Sequence, residues 1–178
     1  VDAHQPGWGA SGRNGGFCCL GGTLHDHATL VRRYGARQAS DWIEAQKQAI
    51  ELVDGLIEAH RLDVSRHSEG ELVLAHRRRS YRSFPAQKAH YEAHGIGAEV
   101  LPPEALRERG LSARGIHGGL HVKLGFGLDP GAYVTGLAHA AAAAGADIRA
   151  RSPVSAIRAE AGGYRLTTAR GSLIARRL

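Results

Sequence analysis

The chain has 178 residues, of which 43% are hydrophobic and 22% charged, a globular composition that excludes collagen, coiled-coil and disordered classes. Its longest apolar run, around residues 137–146, is broken by His139 and Gly145 and falls short of the roughly 20 residues a membrane span needs. Net charge is +6, but the arginines are scattered, and the one dense run, Arg77-Arg78-Arg79 with Tyr81 and Arg82, lacks the docking motif or stacking aromatics of a nucleic-acid surface, so it reads as a solvated helix start.

In chain order, residues 7–22 are glycine-rich and predict a loop system whose backbone comes close to something. A helix is predicted from Asp41, where Glu44 completes a capping box, with Trp42, Ala45, Ala49, Leu52, Val53, Leu56 and Ile57 on the core face up to about Ala59. Residues 70–75 read as a short strand, residues 83–94 as an amphipathic helix ended by Gly95, and residues 98–101 as another strand. Pro102-Pro103-Glu104 opens a short helix, since proline's missing N–H costs nothing in a first turn. Residues 131–144 form an alanine-rich helix stopped by Gly145, and a strand is expected at once over residues 147–150. Beyond it, residues 154–158, 164–168 and 172–178 alternate between the turns Gly162-Gly163 and Arg170-Gly171, which predicts antiparallel hairpins. The fold class is α/β.

Gly7-Trp8-Gly9-Ala10-Ser11-Gly12 matches G-x-G-x-x-G letter for letter. A dinucleotide fingerprint also needs an apolar strand before the first glycine, a helix at the last one and an acid about 20 residues on. Only six residues precede Gly7, among them Asp2, His4 and Pro6; Arg13-Asn14-Gly15-Gly16 is a poor helix start; and no strand leads to Asp26. The literal fingerprint is rejected.

The same residues carry a resemblance. Val1-Asp2-Ala3, followed after a short gap by Gly-Trp-Gly-Ala-Ser-Gly-Arg-Asn-Gly-Gly, resembles the segment leaving the second strand of the FAD domain in FAD-dependent amine and amino-acid oxidoreductases of the D-amino-acid oxidase, glycine/sarcosine oxidase-like family. Within it, the block GASGRNGG is similar to the gamma-glutamylputrescine oxidase-like branch. The likeness continues through Ser68-Glu69-Gly70-Glu71-Leu72, Gly127-Leu128-Asp129-Pro130 and Gly145-Ala146-Asp147-Ile148 into the hairpins.

The resemblance implies part of an FAD-binding Rossmann-like domain with part of an antiparallel-sheet substrate domain: an FAD-domain segment at 1–66, a substrate-domain segment at 67–128, and a second FAD-domain segment at 129–178. It implies FAD as cofactor and an amine or amino acid as substrate, with hydride passing to the flavin N5, the imine hydrolysing, and oxygen or another acceptor reoxidising the flavin. Asp2, with Ala3 beside it, would bind the adenosine ribose; Ser11, Gly12 and Arg13 would approach the pyrophosphate; Asn14, Gly15 and Gly16 would run beside the flavin ring; and the Val154 backbone would meet adenine. Glycine lets backbone N–H groups reach phosphate oxygens, and arginine adds charge-assisted hydrogen bonds. The family's first strand and its C-terminal half lie outside the chain, and methionine is absent even at position 1. The expectation is a piece of a longer protein that binds FAD weakly or not at all by itself. No catalytic acid or base is expected within the span, and the alternatives are a nicotinamide-dependent dehydrogenase or a non-catalytic basic binding domain.

Other candidates have plainer readings. His90 and His94 have zinc-binding spacing, but Tyr91 stands where a metalloprotease has glutamate, so surface histidines are expected. His25-Asp26-His27 reads as a polar loop without a third ligand, and no metal is expected. Cys18-Cys19 forms no disulfide framework and reads as a pair of small buried residues; with no secretory leader visible, a cytoplasmic setting is expected. No serine stands in a nucleophile-elbow setting. His117, His121 and Lys123 lie in the segment that resembles the substrate-domain sheet, and no role is assigned to them.

Overall fold

The computed structural model describes residues 1–23, 25–111 and 113–178. Its elements run β1 (Phe17–Cys18), α1 (His27–Tyr34), α2 (Ala36–His60), β2 (Glu71–Leu74), α3 (Arg78–Ala93), β3 (Ala98–Leu101), α4 (Pro103–Glu108), β4 (Gly119–Val122), β5 (Phe126–Gly127), α5 (Pro130–Ala143), β6 (Val154–Glu160), β7 (Gly163–Thr168) and β8 (Gly171–Ala175). This is the mixed α/β architecture with antiparallel sheets that the sequence predicts. Two compact units share it, one of residues 1–16, 57–65 and 129–178, the other of residues 17–56 and 66–128. Among the described residues no helix is long and apolar enough to cross a membrane.

In the unit of residues 17–56 and 66–128, β4 is the middle strand of an antiparallel sheet ordered β2-β4-β3. Leu120 and Val122 of β4 pack with Ile43 of α2, Phe84 of α3, and Ala75, Ile96 and Ala98 in one buried cluster. On the other side Leu101 and Leu106 are buried, and Gly119 has no side chain where one would press on Leu72 and Leu106 at 3.0 and 3.2 Å. The alternation of β4 is therefore set by two apolar faces. A second pairing joins β1 to β5.

Two predicted starts are corrected here. The run at 25–27 is not loop: Asp26 caps α1, its side chain accepting from the Thr29 N–H at 2.8 Å, which satisfies an orphan donor at the positive end of the helix dipole. The next helix begins at Ala36 rather than Asp41, which sits inside it and pairs with Arg37 at 3.8 Å. Its buried residues are Ala39, Ile43, Ile50 and the expected Ile57, whereas Trp42 and Leu52 are exposed.

Helix ends follow one rule. After α3, Gly95 takes φ 71° and Ile96 N–H reaches back to the Tyr91 carbonyl; Gly110 with Leu111 after α4, and Gly145 with Ala146 after α5, repeat the arrangement. These are left-handed caps in which glycine carries no steric penalty.

In the unit of residues 1–16, 57–65 and 129–178, α5 starts at Pro130 behind the cap Asp129, whose carboxylate accepts from the Ala132 N–H at 3.0 Å. Leu62 packs over Gly136 of α5, where a Cβ would stand 2.9 Å from it. Strands β6, β7 and β8 form a second antiparallel sheet in sequence order. The strand expected over 147–150 is not formed. Arg151 turns to φ 51°, so the hydrogen bonds of Asp2 go to Arg149 and Ser152 without a regular ladder.

Candidate functional site

Residues 7–16 build the loop. Gly7 holds φ 81°, left-handed backbone that favours glycine. A 3-10 turn over Ala10–Gly12 then closes through Gly12 N–H to the Gly9 carbonyl at 3.3 Å and Arg13 N–H to the Ala10 carbonyl at 3.2 Å. A Cβ on Gly12 would strike the Gly7 carbonyl, so only glycine lets the chain double back so tightly. Asn14 clamps the turn: its amide nitrogen donates to the Ala10 and Ser11 carbonyls at 3.2 and 3.0 Å, and its oxygen accepts from the Gly16 N–H at 2.9 Å. The folded loop lies against the start of α5, with Gly7 beside Val134 and the Gly12 carbonyl beside Gly131.

Ser11 and Arg13 are exposed on this loop, and the N–H groups of Gly9, Asn14 and Gly15 meet no acceptor among the described residues. Asp2 is tied on both sides of its backbone: its N–H donates to the Arg149 carbonyl at 2.9 Å and its carbonyl accepts from Ser152 N–H at 2.8 Å. One carboxylate oxygen of Asp2 accepts from the His4 N–H at 2.8 Å. Those bonds bring Asp2 and Ala3 alongside the run that enters β6 at Val154, where the pairing with β7 is irregular. All nine residues singled out from the sequence, Asp2, Ala3, Ser11, Gly12, Arg13, Asn14, Gly15, Gly16 and Val154, thus fall in the same unit.

With that geometry established, the comparisons are informative. The sequence model of the DAO family, described as FAD dependent oxidoreductase, matches residues 1–177. The chain belongs to the FAD-dependent oxidoreductase family. FAD is the cofactor of that family, which sets aside the nicotinamide-dependent alternative. Among solved structures, this FAD-dependent oxidoreductase is similar to glycine oxidase from Geobacillus kaustophilus, with 22% identity and a TM-score of 0.69 over 98% of this chain and 45% of that one. Glycine oxidase from Bacillus cereus ATCC 14579 gives 19% identity and a TM-score of 0.68 over 98% and 45%. L-proline dehydrogenase from P. horikoshii gives 19% and 0.59 over 72% and 34%. At these identities the likeness is one of fold, and the chain spans less than half the length of each of these three proteins. No curated protein sequence matches it.

The donor chemistry of the loop fits the diphosphate of FAD. Residues 7–16 contain no carboxylate and one arginine, their free groups are N–H, hydroxyl and guanidinium donors, and a run of backbone N–H groups on a glycine-rich turn is an anion-binding surface. Asp2 is the one acid at the loop entrance, and its second oxygen has no partner among the described residues.

The other unit of this FAD-dependent oxidoreductase holds a cavity of about 570 Å³ between α2, β4 and the β5 region. Its charged walls are mostly self-neutralised: Arg66 pairs with Asp54 and lies 4.1 Å from the Phe126 ring centroid, and Arg109 pairs with Glu99 at 3.4 Å. His121 donates from Nε2 to the Glu69 carbonyl at 2.7 Å, leaving Nδ1 buried without a partner among the described residues, and Lys123 also lines this space. Sequence reasoning missed the two ion pairs, because their partners lie too far apart in the chain to leave a local signal.

His90 and His94, expected at the surface, are half-buried. The His90 ring lies against His27, tilted by 34° with ring centroids 3.8 Å apart, and His94 stands 4.7 Å from His90. Burial, then His27 and His94, push the His90 imidazole down to about 4. Among the described residues no group of three His, Cys, Asp or Glu side chains could hold a metal ion. Cys18 and Cys19 are half-buried free thiols. Burial raises both above the ordinary thiol value, followed by the neighbouring Cys19 for Cys18 and by Glu71 for Cys19.

Proposed function

We propose that the chain is part of a flavoprotein that oxidises the C–N bond of an amine or amino acid, its residues 1–66 and 129–178 belonging to the FAD domain and 67–128 to the substrate domain. The observation that carries this reading is the carboxylate-free donor loop at residues 7–16, lying in a chain matched to the family from residue 1 to residue 177. Ser11, the Gly12 backbone and Arg13 would hold the pyrophosphate, the arginine adding charge-assisted hydrogen bonds to phosphate oxygens. Asp2 would accept from the ribose hydroxyls through its open carboxylate oxygen, with Ala3 beside it, and the Val154 backbone would meet adenine; the bonds from Asp2 to Arg149 and Ser152 support that neighbourhood. Asn14, Gly15 and Gly16 would flank the flavin, Asn14 by fixing the backbone with its amide.

When bound, FAD would supply the hydride acceptor for the carbon next to the substrate nitrogen, the imine product would hydrolyse in water, and oxygen or another acceptor would take the electron pair. The chain's own part is to bind and orient. The likeness of GASGRNGG to the gamma-glutamylputrescine oxidase-like branch is the reason to include primary and secondary amines beside amino acids in the proposed substrate class. The test is an anaerobic spectrum of the whole FAD-loaded flavoprotein that contains these residues, against glycine, sarcosine, proline and a gamma-glutamyl amine. Bleaching of the oxidised flavin band by at least one of them is the expected result. A flavin that stays oxidised with all four, or a whole protein that takes up no FAD, overturns the reading.

A further inference from the structure

Trp8 has no part in the scheme above, yet it touches one of its residues, Arg13, and the neighbour of another, His4 beside Asp2. Its indole stacks on the His4 imidazole, centroids 3.7 Å apart and planes 18° from parallel. The Arg13 guanidinium carbon lies 5.0 Å from the indole centroid, and His4 in turn donates its N–H to Asp2. Asp2, His4, Trp8 and Arg13 form one connected row, whose ends are the residues assigned to the ribose and to the diphosphate.

Burial does not explain the place of Trp8, since the ring is 52% exposed. The Arg13 guanidinium makes no ion pair or hydrogen bond among the described residues, so the indole is its partner there. The chemistry of that pairing matters. A carboxylate partner would occupy guanidinium N–H groups, whereas an aromatic face attracts the cation and leaves its N–H edges open to an anion. A flexible arginine that is already held also loses less freedom when the anion arrives.

We propose that Trp8 is a positioning residue which, backed by His4, holds the Arg13 guanidinium ready for the cofactor's diphosphate. The proposal rests on the cofactor reading of the loop. Because the chain has two tryptophans, Trp42→Phe leaves Trp8 as the sole emitter, and this variant is the parent for the test. Inorganic pyrophosphate and FAD are titrated, with Trp8 emission and calorimetry as readouts. The expected result is that both probes change Trp8 emission, that Trp8→Ala weakens both by about fivefold, the scale of an exposed cation–π contact, and that Trp8→Phe recovers most of the loss. In an Arg13→Gln background, Trp8→Ala then costs nothing further, because its effect runs through the arginine.

Parent-like affinity in Trp8→Ala overturns the proposal, and so does a fivefold loss that persists in Arg13→Gln, either result leaving the cofactor site standing. A parent that responds to neither pyrophosphate nor FAD overturns the proposal, and FAD uptake by the whole protein then decides separately whether the cofactor reading stands.

Discussion

The two three-stranded sheets of this protein have the same antiparallel pairing and opposite means of support. In β2-β4-β3, Leu120 of the central strand is 0% exposed, with the apolar side chains of α2 and α3 on its face and Leu106 of α4 buried on the other. In β6-β7-β8, Leu166 is buried while Ile157 and Ile174 are 55% and 62% exposed. What holds this second sheet is its ladder, the glycine turns at Gly162 and Gly171, and the two-pronged pairing of Arg165 with Glu160. One sheet is fixed by what lies above and below it, the other by its own edges and turns, so equal pairing does not mean equal sensitivity to side-chain loss.

Substitutions can break that contrast. Leu120→Ala carries the largest expected effect: it opens a cavity in the buried sheet and should lower the unfolding free energy by about 2–5 kcal/mol in a denaturant titration. A loss under 1 kcal/mol would mean that the cluster does not carry the sheet. A smaller effect concerns His90, on the helix that covers this sheet. Its folded-state value, about 4, lies below the ordinary 6.5, so between those values the unfolded chain binds more protons. The stability contributed by neutral His90 is full above pH 6.5 and is lost as pH falls to 4. Allowing for screening of a partly exposed ring, the change is on the order of 1 kcal/mol. His90→Gln should flatten that part of the pH profile, and an unchanged profile would refute the assignment to His90. The smallest effect belongs to Ile174→Thr in the open sheet, expected within about 0.5 kcal/mol of the parent by the same titration. A loss like that of Leu120→Ala would erase the distinction between the sheets.

How much of this was legible beforehand depended on the range of the interaction. Helix ends at Gly95 and Gly145 could be read directly, because a left-handed cap is decided within five residues. The hairpins after Val154 were legible for the same reason, their turns being marked by glycine. The helix of residues 27–34 was missed because it is only eight residues long and its cap, Asp26 to Thr29, stands in a run that reads as polar loop. The face of α2 was misjudged because Trp42 and Leu52 are apolar by type, yet the buried stripe is decided by what Phe84 and Leu120 leave open. In the candidate site, the glycine block was visible as a motif. The stack of His4 on Trp8 and the contact of His90 with His27 were not, since side-chain partners chosen by the folded chain leave no spacing rule in it.

The raised thiols of Cys18 and Cys19 have a chemical consequence of their own. Peroxide oxidises the thiolate and the methionine thioether most readily, and this polypeptide has no methionine and only two cysteines, whose thiols burial moves further from ionisation than an ordinary thiol. To an oxidant such as peroxide, this stretch of chain therefore offers almost no reactive sulfur.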